Sequence, residues 1–324
     1  MKPKILSLCA ILMAVLFLAN TPKADTITIY TIGDSTMANK DTTDGKLERG
    51  WAMMLQEFFD ESKVVVENHA VNGRSSKSFF EQGRWKPIMD KLKAGDYVFI
   101  QFGHNDEKTE DSLRYTDPQT TYKAFLTMYV NDARSKGANP VLLTPIARRT
   151  YVKGVKLPID THKEYSIAVR QLAKDLDVPM IDMDELSRKL LVQMGDDGAK
   201  ELYMWVEPGE NSNYPDGLKD DTHLNEYGAE RMASIAISNL RRLKLPLEKM
   251  LLDNVYDENW KDVVFEQPDE WYGTADAQAI AENVLLYQSN IGGWPKNLPL
   301  HHKLTEKQRQ KLIANKANTK DITL

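Results

Sequence analysis

Cysteine is nearly absent. The 324-residue chain has one, Cys9. No intrachain disulfide can form, so apolar burial rather than cross-links must hold the fold, and zinc sites built on cysteine are excluded. An excess of positive charge is missing too. Lys and Arg number 42 against 47 Asp and Glu, for a net charge of −5. Nucleic acid is therefore not the expected partner, since it needs a basic footprint. No G-x-G-x-x-G or P-loop pattern occurs, so nothing marks a phosphate cradle. The only long hydrophobic run is Ile5 to Ala19, too short for a comfortable membrane span. What remains is ordinary globular composition, 42% hydrophobic and 27% charged, enough for a substantial core.

Lys2 and Lys4 precede that apolar run, the pattern of a secretory signal peptide, expected over residues 1–24. An uncleaved anchor is the alternative. Cleavage would leave no stable membrane anchor and a secreted or periplasmic protein. It would remove Lys2, Lys4, Lys23 and Cys9 but no acid, taking the net charge from −5 to −8.

Strands and helices then alternate. "TITIYTIG", "KVVVENHAV", "DYVFIQFG", "NPVLLTPIA" and "VPMIDM" read as strands. "LERGWAMMLQEFFDE", "PQTTYKAFLTMYVNDARSKG", "THKEYSIAVRQLAKDLD" and "EYGAERMASIAISNLRRL" carry apolar residues at helical spacing. The alternation predicts an α/β fold, a three-layer αβα sandwich with a central parallel sheet, over residues 25–243. In the last helix Asn225 is a good N-cap, and Ala229, Met232, Ala233, Ala236 and Leu240 mark the buried face.

Chemistry in such folds gathers where strands end. Four polar clusters fall there: "GDSTM" with Ser35, "NGRSS" with Gly73, "GHND" with His104, Asn105 and Asp106, and "DDTH" with Asp220 and His223. Each suits one task in acyl transfer. A serine hydroxyl needs a base to take its proton, and histidine does so near neutral pH. A carboxylate fixes the imidazole tautomer. Donors must face the oxyanion, and Ser35 N–H, Gly73 N–H and the Asn105 amide can supply them. Singly, each cluster has a plainer reading: a cap, a turn, or a surface ion pair. Asp220 and His223 are expected on a short loop, because capping the last helix requires neither. An α/β-hydrolase elbow would want G-x-S-x-G, and Met37 stands where its second glycine belongs.

Together, "GDSTM", "NHAVNGRSSKSF", "QFGHND" and "DDTHLNEYGA" resemble the ordered blocks of the SGNH/GDSL hydrolase superfamily, in detail its rhamnogalacturonan acetylesterase branch. The resemblance covers residues 25–243. It implies a flavodoxin-like SGNH fold with Ser35 as nucleophile and Asp220 and His223 as its triad partners. It implies Ser35, Gly73 and Asn105 as oxyanion donors, and acetyl release from acetylated pectic polysaccharide with no metal and no cofactor. Asp221 departs from the pattern, since relatives often carry glycine there. The role falls to Asp220 on its spacing from His223, with Asp221 a competing carboxylate.

Galacturonate is anionic, so a basic rim would help. Arg74, Lys77 and Arg84 follow Gly73, and Arg148 and Arg149 follow the fourth strand. His104 and Arg74 are the substrate-contact candidates. Trp51, Trp85 and Trp205 either stack on sugars or sit in the core. Residues 244–270 read as a linker. Residues 271–324, with "YQSNIGGWPKN", resemble the opening of a pectate lyase of the (α/α)-toroid type and are expected to form a partial all-α segment without lyase activity. A non-catalytic pectin-binding protein and an esterase or thioesterase on another acyl group stay open. With a histidine base, activity should fall as His223 is protonated, at its reference pKa of about 6.5 or somewhat above it beside Asp220.

Overall fold

The structure is a computed structural model that describes residues 26–153, 157–252, 267–295, 300, 301, 304, 306–317, 322 and 323. The expected signal peptide lies outside the described residues, as do residues 253–266 of the expected linker.

Five strands form the central sheet: β1 (Ile27–Gly33), β2 (Val64–Asn68), β3 (Tyr97–Gln101), β4 (Asn139–Leu143) and β5 (Met180–Ile181). All neighbours are parallel, in the order β2-β1-β3-β4-β5. The winding direction reverses between β1 and β3, the point at whose carboxyl ends open α/β sheets place their sites. Along β1, Ile29 enters one apolar core while Tyr30 and Ile32 enter the other. Along β3, Tyr97 and Phe99 go one way, Val98 and Ile100 the other. Both faces are therefore covered, and the domain has three layers.

Helices α1 (Ser76–Glu81), α2 (Lys86–Lys91), α3 (Thr121–Ser135) and α4 (Lys163–Asp175) supply one face. A 3-10 helix (Trp51–Phe58), α5 (Met183–Gly198) and α6 (Glu226–Arg242) supply the other. The α6 stripe of Ala229, Met232, Ala233, Ala236 and Leu240 is fully buried. Between α5 and α6 lies an antiparallel hairpin, β6 (Tyr203–Val206) and β7 (Leu218–Leu224).

Two expectations need correcting. The segment after Arg49 winds as a 3-10 helix, with Met53 N–H bonding back three residues to Gly50 O at 3.0 Å and Trp51 N–H tied to Thr36 O of the β1 turn at 2.9 Å. The fifth strand is only two residues long because Asp182 caps α5, accepting from Glu185 N at 3.2 Å. Past residue 243 the chain still packs on this core: Leu247 is fully buried there, and Leu252 N donates to Phe58 O at 3.0 Å. Beyond it, the described residues are mainly helical, with α7 (Ala275–Tyr287) and α8 (Glu306–Asn315) beside a short pairing of β8 (Trp294–Pro295) with β9 (Ile322–Thr323). Lys311 of α8 makes ion pairs with Glu226 and Glu230 of α6.

Candidate active site

At the end of β1, a Cβ on Gly33 would stand 2.5 Å from Met37 Sδ and 2.6 Å from Gln101 O, so only glycine lets the strand pass there. Asp34 then closes a tight turn. Its Oδ1 accepts Thr36 N–H at 2.9 Å and the Thr36 hydroxyl at 2.8 Å, and its carbonyl accepts Ala38 N–H at 3.0 Å. Burial raises the Asp34 pKa, against these hydrogen bonds. Asp34, Thr36 and Met37 are buried, and Ser35 between them is partly exposed.

The histidine arrives on the hairpin. Tyr203 pairs with Leu224 but Met204 pairs with Asp220, so residues 221–223 have no partners across the ladder and bulge outward. Asp220 folds this bulge around itself. Its Oδ1 accepts Thr222 N–H at 2.7 Å and His223 N–H at 3.0 Å, and its Oδ2 lies 2.7 Å from His223 Nδ1. His223 Nε2 lies 2.9 Å from Ser35 Oγ. The three-residue spacing thus works from a bulged strand, not from the short loop expected. Burial acts to raise the Asp220 pKa, but the bonds from His223 and Thr222 outweigh it and bring the value down to about 2. An ionised Asp220 fixes the proton on Nδ1 and leaves the Nε2 lone pair toward Ser35.

Asp221 is engaged elsewhere. Its Oδ1 accepts Trp205 Nε1–H at 2.8 Å and Arg149 Nη1–H at 2.6 Å. After the bulge, Asn225 Oδ1 accepts Gly228 N–H at 2.9 Å, capping α6, while its Nδ2 donates to Glu201 O at 2.8 Å and Tyr203 O at 3.0 Å.

Gly73 and Asn105 follow β2 and β3, the strands on either side of β1. Gly73 has φ +73°, a conformation that favours glycine. Asn105 is 4% exposed, and its Nδ2 donates one hydrogen to Arg74 O at 3.1 Å, leaving the second to give. Arg114 Nη1 donates to Asn105 Oδ1 at 3.3 Å and so sets the amide's orientation. Asp106 braces the two loops. Fully buried, it accepts Ser76 N–H at 3.0 Å, Ser76 Oγ–H at 2.5 Å and Thr116 Oγ–H at 2.9 Å, and burial pushes its carboxyl up to about 7.

A nucleophile-sized hydroxyl, an oriented imidazole and amide donors thus meet at one sheet edge, an arrangement suited to acyl transfer. The model of the GDSL-like lipase/acylhydrolase family matches residues 31–231. The chain belongs to that family. It is a carboxylic ester hydrolase of the SGNH type. Among curated relatives, the rhamnogalacturonan acetylesterase RhgT of Bacillus subtilis is 38% identical over 226 residues, 70% of this chain and 94% of its own. The probable rhamnogalacturonan acetylesterase YesY of the same organism is 37% identical over 224 residues, 69% of this chain and 97% of its own. Among solved structures, the protein YxiM from Bacillus subtilis superposes with a TM-score of 0.58 at 26% identity; the match covers 68% of this chain and 58% of that one.

Several expected contacts of this SGNH hydrolase lie elsewhere. His104 is 3% exposed and packs on His162 with ring centroids 4.2 Å apart, so it lies beneath the surface rather than at the substrate rim. Its pKa falls well below the usual histidine range, chiefly by burial and then by the neighbouring His162 and Arg148. Trp51 and Trp85 belong to the cores, at 0% and 2% exposure. Trp205 is partly exposed, with the Arg149 guanidinium 4.6 Å and the Lys200 ammonium 4.7 Å from its ring centre.

Arg148 is part of a brace that sequence reading missed. Its Nη1 donates to Thr222 Oγ1 at 2.6 Å and its Nη2 to Glu107 Oε1 at 2.7 Å, while Glu107 Oε2 lies 2.7 Å from His162 Nδ1. The bulge that carries His223 is thereby tied to the segment that follows Asn105. Burial would raise the Glu107 pKa, but His162 and Arg148 hold it below the usual range. No sequence spacing announces this brace, because its members, Glu107, Arg148, His162 and Thr222, come from four separate segments.

Proposed function

We propose that this protein is a secreted or periplasmic serine esterase that removes acetyl groups from rhamnogalacturonan in pectin. The hydrogen-bond chain from Asp220 through His223 to Ser35 carries the reading. Ser35 Oγ attacks the acetyl carbonyl carbon and passes its proton to His223 Nε2. Asp220 keeps the other ring proton in place and stabilises the imidazolium. The oxyanion takes hydrogen bonds from Ser35 N–H, Gly73 N–H and the free Asn105 amide hydrogen. Collapse breaks the bond to the sugar oxygen, which takes the proton from His223 and leaves as a free hydroxyl. Water then enters by the same route in reverse and frees acetate and Ser35.

The substrate rests on the two Bacillus relatives named for rhamnogalacturonan and on the tail's resemblance to the opening of a pectate lyase, which points to the same polymer. The basic stretch at residues 1–4 with the apolar run after it supports export. The test is acetate release from acetylated rhamnogalacturonan by the full chain and by Ser35→Ala. Release by the parent and near-abolition in a folded variant are expected. A folded parent that cleaves an aryl acetate but not this polymer would remove the substrate and leave the chemistry.

A further inference from the structure

Arginines near the site are mostly matched to carboxylates: Arg148 to Glu107, and Arg149 to Asp196 and Asp221. Beside the oxyanion donors the pattern changes. Arg74, next to Gly73, gives Nη1–H to Asn72 O at 2.6 Å and Nε–H to Gln82 Oε1 at 3.0 Å. Arg84 gives Nε–H to the same Gln82 oxygen at 3.0 Å. These acceptors are neutral, and among the described residues neither arginine makes an ion pair. Arg74 Nη2 and both terminal nitrogens of Arg84 have no protein acceptor there. Arg114 pairs with Asp111 through Nε at 2.5 Å, and its Nη1 lies 4.0 Å from where a Gly73 Cβ would stand. Lys77 Nζ donates to Ser112 O at 2.8 Å, closing α1 onto the loop that carries Arg114. Burial first, then the nearby charges of Arg84 and Arg114, push the Arg74 pKa down.

Three guanidinium groups with one carboxylate among them leave a local positive excess in a chain whose net charge is −5. Gathered like charges repel, and an anion held between planar guanidinium forks relieves the repulsion. We propose that Arg74, Arg84 and Arg114 form a subsite for the carboxylate of a galacturonate residue adjoining the acetyl ester. The inference rests on the pectic substrate proposed above and assigns the residues that would select it.

The test reads the subsite without that substrate. The full chain hydrolyses 4-nitrophenyl acetate, a neutral ester, in the presence of oligogalacturonate or its methyl ester at low ionic strength. Inhibition by the acid form should exceed that by the methyl ester. In the double variant Arg74→Gln/Arg84→Gln the inhibition constant for the acid form should rise about tenfold, each rate being read against that variant's own uninhibited rate. The charge-matched variant Lys86→Gln/Lys189→Gln, on exposed lysines paired with Asp90 and Glu185, should keep the parent's constant. Equal inhibition by acid and methyl ester, or equal rises in both variants, would overturn the subsite. A parent that releases no acetate from acetylated rhamnogalacturonan would refute the substrate proposal, while the inhibition constants still decide the subsite.

Discussion

Two adjacent carboxylates, Asp220 and Asp221, offer a sharp test, because the structure gives them different work. In Asp220→Asn, the side-chain oxygen would stay with the N–H groups of Thr222 and His223, which it accepts at 2.7 and 3.0 Å. The amide NH₂ would then face His223 Nδ1 across the present 2.7 Å contact. Two donors cannot share that contact, so Nδ1 must give up its hydrogen and Nε2 must carry it. The nitrogen beside Ser35 would then donate where it should accept, and the base is lost. A wrong tautomer of this kind costs about 10⁴-fold in kcat, about 5 kcal/mol. In Asp221→Asn, the amide oxygen can still accept from Trp205 and Arg149, and Arg149 keeps Asp196 at 2.5 Å. Its kcat should stay within about threefold of the parent, at most about 0.7 kcal/mol. The assay is steady-state hydrolysis of an aryl acetate by the full chain, with thermal unfolding as the check on folding. Equal losses in the two variants, or a larger loss from Asp221→Asn, would refute the assignment.

Other consequences are quickly stated. The Asp220 carboxyl, at about 2 in the folded protein against an ordinary 3.8, is depressed, so its contribution to stability is present above pH 3.8 and fades as pH falls through about 2. Urea denaturation from pH 5 to 2 should show an acid loss of about 2 kcal/mol that Asp220→Asn lacks; the same slope in both proteins would contradict it. Gly50→Ala would drive a Cβ to 2.2 Å from Ala38 O, whereas Gly83→Ala, at φ +70°, meets nothing within 4 Å. Thermal unfolding should therefore show a loss of about 3 kcal/mol or more at Gly50 and only about 1 kcal/mol at Gly83. Arg148→Met releases Thr222 and should lower kcat by about 10- to 100-fold on a neutral ester with little change in KM. A pure KM effect would mean that Arg148 touches substrate instead.

What could be read in advance follows the physics of each signal. β1, β3 and β4 carry dense apolar runs, and α3, α4 and α6 keep one apolar face, so local pattern and tertiary burial agree there. Ser35, Gly73, Asn105 and His223 stood out because strand ends concentrate polar residues that a buried sheet would otherwise exclude. The hairpin was hidden: β7 reads "LKDDTHL", with too few apolar residues to alternate, because its bulge is held by Asp220 and its pairing by main-chain bonds to β6. Helices α1 and α2 are each six residues long, too short for a periodic stripe. The site's supports were hidden for the same reason. Arg114, Arg148 and Asp106 matter through what they reach across the fold, and reach is a property of packing rather than of spacing.

That distinction bears on the hydrolase itself. Ser35 sits on a turn whose backbone and Asp34 determine its position locally, whereas His223 sits on a bulge whose place depends on Arg148, Asn225 and the pairing with β6. A local turn tolerates changes elsewhere, while a bulge braced from three segments does not. Substitutions remote from the nucleophile should therefore act mainly by shifting His223 relative to Ser35, lowering kcat before stability. The basic cluster at Arg74, Arg84 and Arg114 sits beside Gly73 and Asn105, and Arg114 reaches Asn105 Oδ1 at 3.3 Å, so substitutions there should act on Asn105 before they reach the bulge.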